Sequence, residues 1–427
     1  MRTVTRISAA VVGMVLLGAF ASTASAQTIA IRGATIVPVT GPRIENGTIV
    51  IRGNKIAAVG SNVTIPAEAR VIDATGKFVY PGMINAWTQV GLNEIGSVAG
   101  GNDVRELGDF DPAMAAVVAI NPHSEMVPVA RVNGITSVLS GPTGGRISGV
   151  AALIDLDGWT PQEMAVEPLA ALVVNYPRFG AGGGRGFGGF FRPQGSPEER
   201  RRTAERQARE LKDYLEQAKS YAARKARNAL PRLDRQMEAM VPAITGEMPV
   251  IITANSDEEI LGAIDLAEQF DLDYVIYGAR EAWKVVDTLA AKNVRVVFSQ
   301  ILSSPGRDDP FDAIYAQPGV LAARGIKFAF STGDYANSRN LPYNAAKATA
   351  YGLDPGIALK ALTIWPAEFW GVDDRLGSIE VGKQADLFIA DGDPLDVRTT
   401  VEQVFIRGRP VSMETRHTRL YDKFRAR

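Results

Sequence analysis

Apolar and polar residues alternate in two separate parts of the chain, one near each end. Residues 28–60 contain the runs IAIRGATIVPV and TIVIRGNKIAAVG, with ENG at 45–47 and GN at 53–54. A period of two residues that is broken by Asn-Gly or Gly-Asn predicts β-hairpins with turns at these positions. The same pattern returns over residues 377–412, in GSIEVGKQADLFIADGDPL and VEQVFIRGRPVS. Both ends of the chain are therefore predicted to be β-structure.

The central part of the chain has a different pattern, in which short apolar runs alternate with amphipathic segments of helical period. Short strands that are apolar throughout and are separated by helices predict a buried parallel sheet. Seven or eight such units favour an α/β fold of the (β/α)8 barrel type, and a doubly wound open sheet is the alternative. The predicted strands are Phe78 to Ile84, Ile135 to Leu139, Ala170 to Asn175, Val250 to Ala254, Tyr274 to Tyr277, Val294 to Phe298 and Ile326 to Phe330.

A glycine-rich segment over residues 178–195 interrupts this alternation. Immediately after it, Ser196, Pro197 and Glu199 have the spacing of a helix N-cap, a proline in the first turn and a capping box. We therefore predict an insertion over residues 178–240 that packs on the barrel, with a mobile lid or partner-docking arm as the alternative. The apolar stripe of the predicted helix consists of Ala204, Ala208, Leu211, Leu215, Ala218, Ala222 and Ala226.

The first 26 residues have the features of a secretory signal peptide. Arg2 and Arg6 precede an apolar run from Ala9 to Ala21, and the small residues at 24–26 suit a cleavage site. The apolar run is shorter than the roughly 20 residues that span a bilayer. We expect an exported protein, periplasmic or secreted, that begins at Gln27 and has no membrane attachment after cleavage. An uncleaved membrane anchor is the alternative.

Composition limits the possible chemistry. The chain has no cysteine, which excludes disulfides, thiolate nucleophiles and cysteine-based zinc sites. The formal net charge of −1 becomes −3 without Arg2 and Arg6, and this near-balance gives no basis for nucleic-acid binding. The 427 residues include two histidines. His123 is interpreted as a capping or surface residue, and His417 as a solvated residue of a basic tail over residues 416–427.

Several long motifs resemble the amidohydrolase superfamily, particularly its imidazolonepropionase-like members. They are VIDATGKFVYPGMINAW near the start and ALKALTIWPAEFWGVDDRLGSIEVGKQADLFIADGDPL near the end, and the resemblance is strongest over residues 28–90 and 325–412. It implies a TIM-like barrel over residues 79–375 and a small β-sandwich composed of residues 27–78 and 376–415. It also implies hydrolysis of carbon–nitrogen bonds other than peptide bonds, with zinc or another divalent metal and an activated water.

The histidines that hold these metals in the family are replaced in this chain. The family has a His-x-His pair at the end of the first barrel strand, where residues i and i+2 point the same way. The resemblance places Trp87 and Gln89 at these positions, Thr253 at the fifth-strand histidine and Tyr277 at the sixth-strand histidine. An indole has no lone pair for a metal, and a Gln carbonyl is a weak, hard ligand. We therefore expect a pocket lined by these residues, and we assign no cofactor to it.

Asp334 is the remaining candidate for a metal ligand, because it matches the eighth-strand carboxylate and general base of the family. A helix-cap or hydrogen-bond anchor is the alternative role for this residue. The bridging ligand of the fourth strand is not located, because ALVVN offers only Asn175.

Two active mechanisms remain open. In the first, oxygen ligands hold magnesium, calcium or manganese, although the loop carboxylates are also typical of a solvated lid. In the second, Asp334 is a base and Tyr277 an acid without any metal. The oxygen ligands of the first mechanism would be Asp334, Gln89 and loop carboxylates such as Glu94, Asp103 and Glu106.

The favoured interpretation is a degenerate member of the family. Such a protein would bind a small-molecule or peptide ligand in its barrel, or would pair with a catalytically intact relative as a structural subunit of a hetero-oligomer. An active carbon–nitrogen hydrolase with one of the two rebuilt sites is the competing hypothesis.

Overall fold

The structure is a computed structural model that describes residues 27–179, 196–229, 232–299, 301–306 and 309–425. The predicted signal peptide lies outside the described residues, and so does the glycine-rich segment apart from its first two residues.

The described residues form two sheets and a set of helices. The strands are β1 (Thr28–Ile36), β2 (Ile44–Arg52), β3 (Lys55–Gly60), β4 (Arg70–Asp73), β5 (Phe78–Pro81), β6 (Met83–Thr88), β7 (Ile135–Ser140), β8 (Ile147–Asp155), β9 (Ala165–Asn175), β10 (Val250–Ala254), β11 (Tyr274–Gly278), β12 (Arg295–Phe298), β13 (Phe328–Phe330), β14 (Leu387–Ala390), β15 (Val401–Ile406) and β16 (Arg409–Pro410). The α-helices are α1 (Met126–Arg131), α2 (Pro161–Met164), α3 (Pro197–Ala226), α4 (Arg235–Ile244), α5 (Asp257–Gln269), α6 (Val286–Ala291), α7 (Ala313–Ala323), α8 (Leu341–Thr349), α9 (Pro355–Leu362), α10 (Ile364–Phe369) and α11 (Arg416–Phe424). Single 3-10 turns lie at Ala99–Gly101, Ala116–Ala119, Ala282–Lys284 and Ser338–Asn340.

The two chain ends form one sheet with the strand order β16-β15-β14-β5-β1-β2-β3, and β4 pairs with β1. The predicted turn at residues 53–54 is confirmed, because Arg52 pairs with Lys55 across the β2–β3 hairpin. The predicted turn at 45–47 is wrong, because these residues lie within β2. The register between β1 and β2 shifts there, and Asn46 has a positive φ of 49°, so the Asn-Gly pair forms an irregularity inside a strand.

The second sheet is a nearly closed barrel of eight strands in the order β6 to β13. Its first and last strands meet at their upper ends, where Asn85 Nδ2 donates to Thr332 Oγ1 at 2.8 Å. The predicted barrel is confirmed, but the expectation of an all-parallel sheet is wrong. Strand β8, which was not predicted, runs antiparallel to both β7 and β9. No helix separates β7 from β8, so the chain returns directly along its neighbour.

The predicted strand from Phe78 to Ile84 is in fact two strands that belong to different sheets. The chain leaves β5 and enters β6 at Gly82. A Cβ atom at Gly82 would lie 2.0 Å from Thr136 Oγ1, so the crossing between the sheets has no space for a side chain. Residues 78–81 thus belong with the sheet of the chain ends.

The predicted insertion helix is confirmed as α3. Ser196 Oγ accepts from Glu199 N at 3.2 Å, and the Glu199 carboxylate accepts from Ser196 N at 2.7 Å, which completes the capping box. The buried face contains four residues of the predicted stripe, together with one tyrosine that was not predicted. The buried residues are Ala204, Leu211, Leu215, Ala218 and Tyr221.

The end of the chain was predicted as a basic tail, and residues 416–424 of it form helix α11. Arg419 binds the Glu125 carboxylate at 2.7 Å, which attaches this helix to the barrel. Leu420, Tyr421 and Phe424 are largely exposed on it. In the described part of the chain, no helix is both long and apolar enough to span a membrane.

Candidate functional site at the barrel mouth

A cleft of about 710 Å³ lies at the barrel mouth, where the parallel strands end. Active sites of this barrel type form at that face, from the loops that follow the strands. Trp87 at the end of β6, Thr253 on β10 and Tyr277 on β11 line the cleft together with Gly333. Further lining comes from the β7–β8 loop, the end of β9 and the first turns of α3.

Trp87 closes the top of the barrel interior. Its side chain is 2% exposed and packs on the apolar residues that point inward from the strands. The indole lies 5.2 Å from the Tyr277 ring, at an interplanar angle of 42°. It also rests on Gly141, where a Cβ atom would come within 2.2 Å of Trp87 Cη2. Two aromatic rings therefore occupy the space between the first and sixth strands.

Tyr277 is a neutral hydrogen-bonding group in this environment. Burial raises the pKa of its phenol, the nearby negative charge of Asp334 raises it further, and a hydrogen bond with Ser331 opposes the shift. A phenol with a raised pKa stays protonated at neutral pH and transfers its proton poorly. Tyr277 is thus better suited to donate a hydrogen bond to a ligand than to act as a general acid.

The carboxylate of Asp334 is bound to its own chain. Oδ1 accepts from Asn337 N at 2.7 Å, and Oδ2 accepts from Asn337 Nδ2 at 2.9 Å. The Asp334 backbone carbonyl accepts from Thr88 Oγ1 at 2.6 Å. These contacts correspond to the hydrogen-bond anchor that was the alternative role of this residue. Asp334 is absent from the described residues that line the cleft.

Gln89 is not among the described residues that line the cleft. Its backbone carbonyl accepts from the N–H groups of Leu92 and Asn93, and its side chain is half-buried. The structure therefore brings together Trp87, Thr253 and Tyr277 of the five residues that the sequence singled out.

Asn175, the polar residue of the fourth strand, positions the adjacent loop. Its Nδ2 donates to the carbonyls of Gly144 and Gly145, at 3.2 and 3.1 Å, and to Ser148 Oγ at 2.9 Å. These bonds hold the β7–β8 loop at the edge of the cleft, where it contributes Arg146 to the lining. The amide nitrogen of Asn175 therefore has a structural role in this loop.

Arg146 was missed in the sequence. It forms ion pairs of 2.6 Å with Asp109 and with Glu210 of α3, and its guanidinium lies 4.7 Å from the Phe110 ring centroid. These contacts join the β7–β8 loop to the insertion helix. The signal that could have located it is the pair of glycines before it, which marks a loop between two strands.

The residues at the positions where the resemblance expects metal ligands do not fit the metals that the family uses. These positions offer an indole, an amide, a hydroxyl, a phenol and one carboxylate, and that carboxylate already accepts hydrogen bonds from Asn337. Within the described ranges, no group of three or more His, Cys, Asp or Glu side chains is placed to hold a metal ion. His123 is exposed and meets the Trp159 ring at 5.6 Å, while His417 lies 3.0 Å from Arg339 Nη1.

Comparison with known proteins shows similarity to amidohydrolases. A family model described as Amidohydrolase family matches residues 312–411. Amidohydrolase tasK of Hapsidospora irregularis is 25% identical over 407 residues, which cover 88% of this chain and 41% of that protein. This chain thus spans less than half the length of that relative.

Solved structures show the same similarity. An amidohydrolase from Thermotoga maritima MSB8 is 27% identical with a TM-score of 0.78, and the match covers 90% of this chain and 99% of that one. A prolidase complexed with N-methylphosphonate-L-proline is 18% identical with a TM-score of 0.54, over 91% of this chain and 100% of that one. The prolidase supports the fold alone.

Proposed function

We propose that this member of the amidohydrolase family is an exported, degenerate protein whose barrel mouth binds a small-molecule or peptide ligand. The main support is the Trp87 indole, which packs at a tilt against the Tyr277 ring where the resemblance expects imidazole ligands. The support for export is the signal-peptide pattern of residues 1–26.

The lining of the cleft indicates the chemistry of the ligand. Trp87 and Tyr277 provide an aromatic floor, and the neutral Tyr277 phenol and the Thr253 hydroxyl are hydrogen-bonding groups beside it. A volume of about 710 Å³ suits a drug-sized molecule or a short peptide. A ligand with a flat or apolar ring and an adjacent amide or carbonyl matches this arrangement.

The arrangement favours binding over catalysis by Asp334 and Tyr277. The Asp334 carboxylate accepts hydrogen bonds from Asn337 in its own turn, and Asp334 is not among the described residues that line the cleft, so the candidate base does not face the ligand site. The raised pKa of Tyr277 makes it a weak acid for the second half of such a reaction. An active hydrolase with a rebuilt site is therefore kept as the outcome that would contradict the proposal.

Tryptophan fluorescence during ligand titration tests the proposal. Acyl-dipeptides and cyclic amides are added to the full chain and to two variants, Trp87→Phe and Trp159→Phe. Trp159 is 77% exposed and away from the cleft lining, so its variant is a matched control. We expect a ligand to quench the emission of the wild type and of Trp159→Phe, and to leave that of Trp87→Phe nearly unchanged.

Activity and metal content are measured on the same samples. We expect hydrolysis of these compounds to equal that in buffer, and transition-metal content to stay far below one equivalent. Hydrolysis above the buffer rate that disappears in Asp334→Ala, with or without a bound metal, would show an active rebuilt site and would overturn the proposal.

We also propose that the chain pairs with a catalytically intact relative in a hetero-oligomer. The feature that favours this is α11, on which Leu420, Tyr421 and Phe424 are largely exposed among basic residues. Co-expression with a histidine-bearing homologue and measurement of mass in solution test the pairing. We expect a mixed complex that weakens in Tyr421→Asp, and separate elution of the two chains would contradict it.

A further inference from the structure

The loop that follows the first barrel strand, over residues 89–104, contains an unusual group of buried oxygen atoms. We call it the first mouth loop. Its two arms meet at Asn93 and Asn102, where Glu94 N donates to Gly101 O at 2.8 Å and Asp103 N donates to Leu92 O at 2.8 Å. In an antiparallel pair that is bracketed in this way, the two facing residues have their Cα atoms about 4.5 Å apart and their side chains on one face.

The side-chain oxygens of the two facing residues have no hydrogen-bond donor among the described residues. Asn93 Oδ1 and Asn102 Oδ1 are both buried and accept no hydrogen bond in the described part of the chain. Glu94 follows Asn93 in the chain, and its Oε1 is also buried and accepts no hydrogen bond there. Four buried side-chain oxygens lack a partner within the described ranges, and three of them belong to this loop. Asn93 is 6% exposed, so bulk water does not solvate its amide.

The chemistry of the loop favours a cation as the missing partner. Residues 89–104 include Glu94 and Asp103 and contain no lysine, arginine or histidine. A single water molecule has two hydrogens to donate, whereas a hard cation is coordinated by several oxygens at once. Amide carbonyl and carboxylate oxygens are the ligands that Ca²⁺ prefers, with six to eight oxygens in a flexible geometry.

We propose that the first mouth loop binds a hard divalent cation of the Ca²⁺ type, with Asn93 Oδ1 and Asn102 Oδ1 as ligands and Glu94 as the buried negative charge. This site is separate from the family's metal position, since none of Trp87, Thr253 or Tyr277 takes part in it. The remaining coordination positions are filled by water or by loop carbonyls.

The proposed cation would also stabilise one wall of the barrel mouth. Gly96 N donates to Tyr335 Oη at 3.3 Å, which links the tip of the loop to the segment after the eighth strand. Tyr335 follows Asp334 directly in the chain. Binding at the Asn93–Asn102 pair would therefore hold the first and eighth loops together without touching the ligand cleft.

Calorimetry and thermal unfolding test the site on the full chain after treatment with a chelator. Calcium chloride and magnesium chloride are each added alone. We expect one equivalent of Ca²⁺ to bind and to raise the Tm, with a weaker effect of Mg²⁺, because Mg²⁺ demands a stricter octahedral geometry. Asn102→Ala removes one ligand oxygen, and we expect it to abolish both the heat and the shift.

Two further variants distinguish a cation site from a water site. Asn93→Asp places a charge on a ligand oxygen, and we expect Ca²⁺ to bind about tenfold more tightly while the Tm without Ca²⁺ falls. Asp103→Asn changes an exposed charge of the same loop and keeps both amide oxygens, so it should bind within a few-fold of the wild type.

Three results would overturn the proposal. The first is an absence of heat and of any Tm shift in the wild type. The second is a loss of stability in Asn93→Asp that Ca²⁺ does not restore, which would show that water alone bridges the pair. The third is Ca²⁺ binding that survives Asn102→Ala unchanged, which would place the ion elsewhere.

Discussion

The two ends of the barrel differ in buried charge: the lower end has buried carboxylates with several donors, and the upper end has neutral rings at the positions of the family's metal ligands. At the lower end, Asp155 at the end of β8 is 0% exposed and accepts from Ser137 Oγ at 2.9 Å, Gln384 Nε2 at 3.0 Å and Arg407 Nε at 2.8 Å. Asp386 beside it accepts from Arg407 N at 2.7 Å. At the upper end, neutral rings stand where the family resemblance expects metal ligands, and the carboxylate of Asp334 is bound to its own turn.

This difference shows the condition under which the fold keeps a carboxylate buried. The lower carboxylates have donors from both sheets, so they connect the barrel to the sheet of the chain ends. A buried carboxylate without such partners is costly, and a metal ion is the other way to neutralise it. At the positions of Trp87 and Tyr277, where the resemblance expects metal ligands, neutral aromatic side chains remove the need for either.

The largest effect is expected from removing the positive charge of the lower end, which is the Arg407 guanidinium. Arg407→Ala leaves Asp155 and Asp386 buried beside each other without their guanidinium. Breaking a buried pair from one side costs about 3–5 kcal/mol, and we expect a loss of that size in the free energy of unfolding measured with urea. Arg409→Ala is the control, because Arg409 pairs with Asp157 at an exposed site and should cost less than about 1 kcal/mol. Equal losses in the two variants would contradict the role of the lower network.

A smaller effect is expected from crowding the upper end. Gly141→Ala places a methyl group against the Trp87 indole and forces the ring to move. Overpacking of this kind costs about 1–3 kcal/mol, and the near-ultraviolet circular dichroism of tryptophan should change with it. Gly41→Ala is a matched control, because a Cβ atom there meets nothing within 4 Å. An unchanged spectrum in Gly141→Ala would show that the indole does not rest on Gly141.

The smallest effect is a pH dependence that arises at the lower end. Burial raises the pKa of Asp386 well above its ordinary value, and the charge of Asp155 raises it further. The folded state therefore holds this proton at a higher pH than the unfolded state does. The resulting stability is fully present below the unfolded value of about 3.9 and is lost as the pH rises through the raised folded value.

Urea unfolding at several pH values measures this contribution. We expect Asp386→Asn to differ from the wild type in the slope of unfolding free energy against pH, by at most about 1.4 kcal/mol per pH unit in the titration range. Asp374→Asn, at a position whose side chain is 77% exposed, should keep the wild-type slope. Identical slopes in all three proteins would indicate that Asp386 does not titrate in this range.

Several features of the fold were predictable from short stretches of sequence. The capping box at Ser196, the turn between β2 and β3, and most barrel strands follow from local patterns. A hydrophobic period reports the burial of each residue relative to its neighbours along the chain, so it locates a strand or a helix. It contains no information on which way the next strand runs. The antiparallel β8 and the division at Gly82 were missed for this reason.

The sequence by itself determined which side chains stand at the ends of the barrel strands, including the absence of imidazole from those positions. Only the tertiary structure decided how those side chains are used. It placed Trp87 against Tyr277, bound Asp334 to Asn337, and brought Asn93 opposite Asn102. The physical reason is that residue type fixes what a side chain can donate or accept, whereas its partner depends on distant segments that meet after the chain has folded.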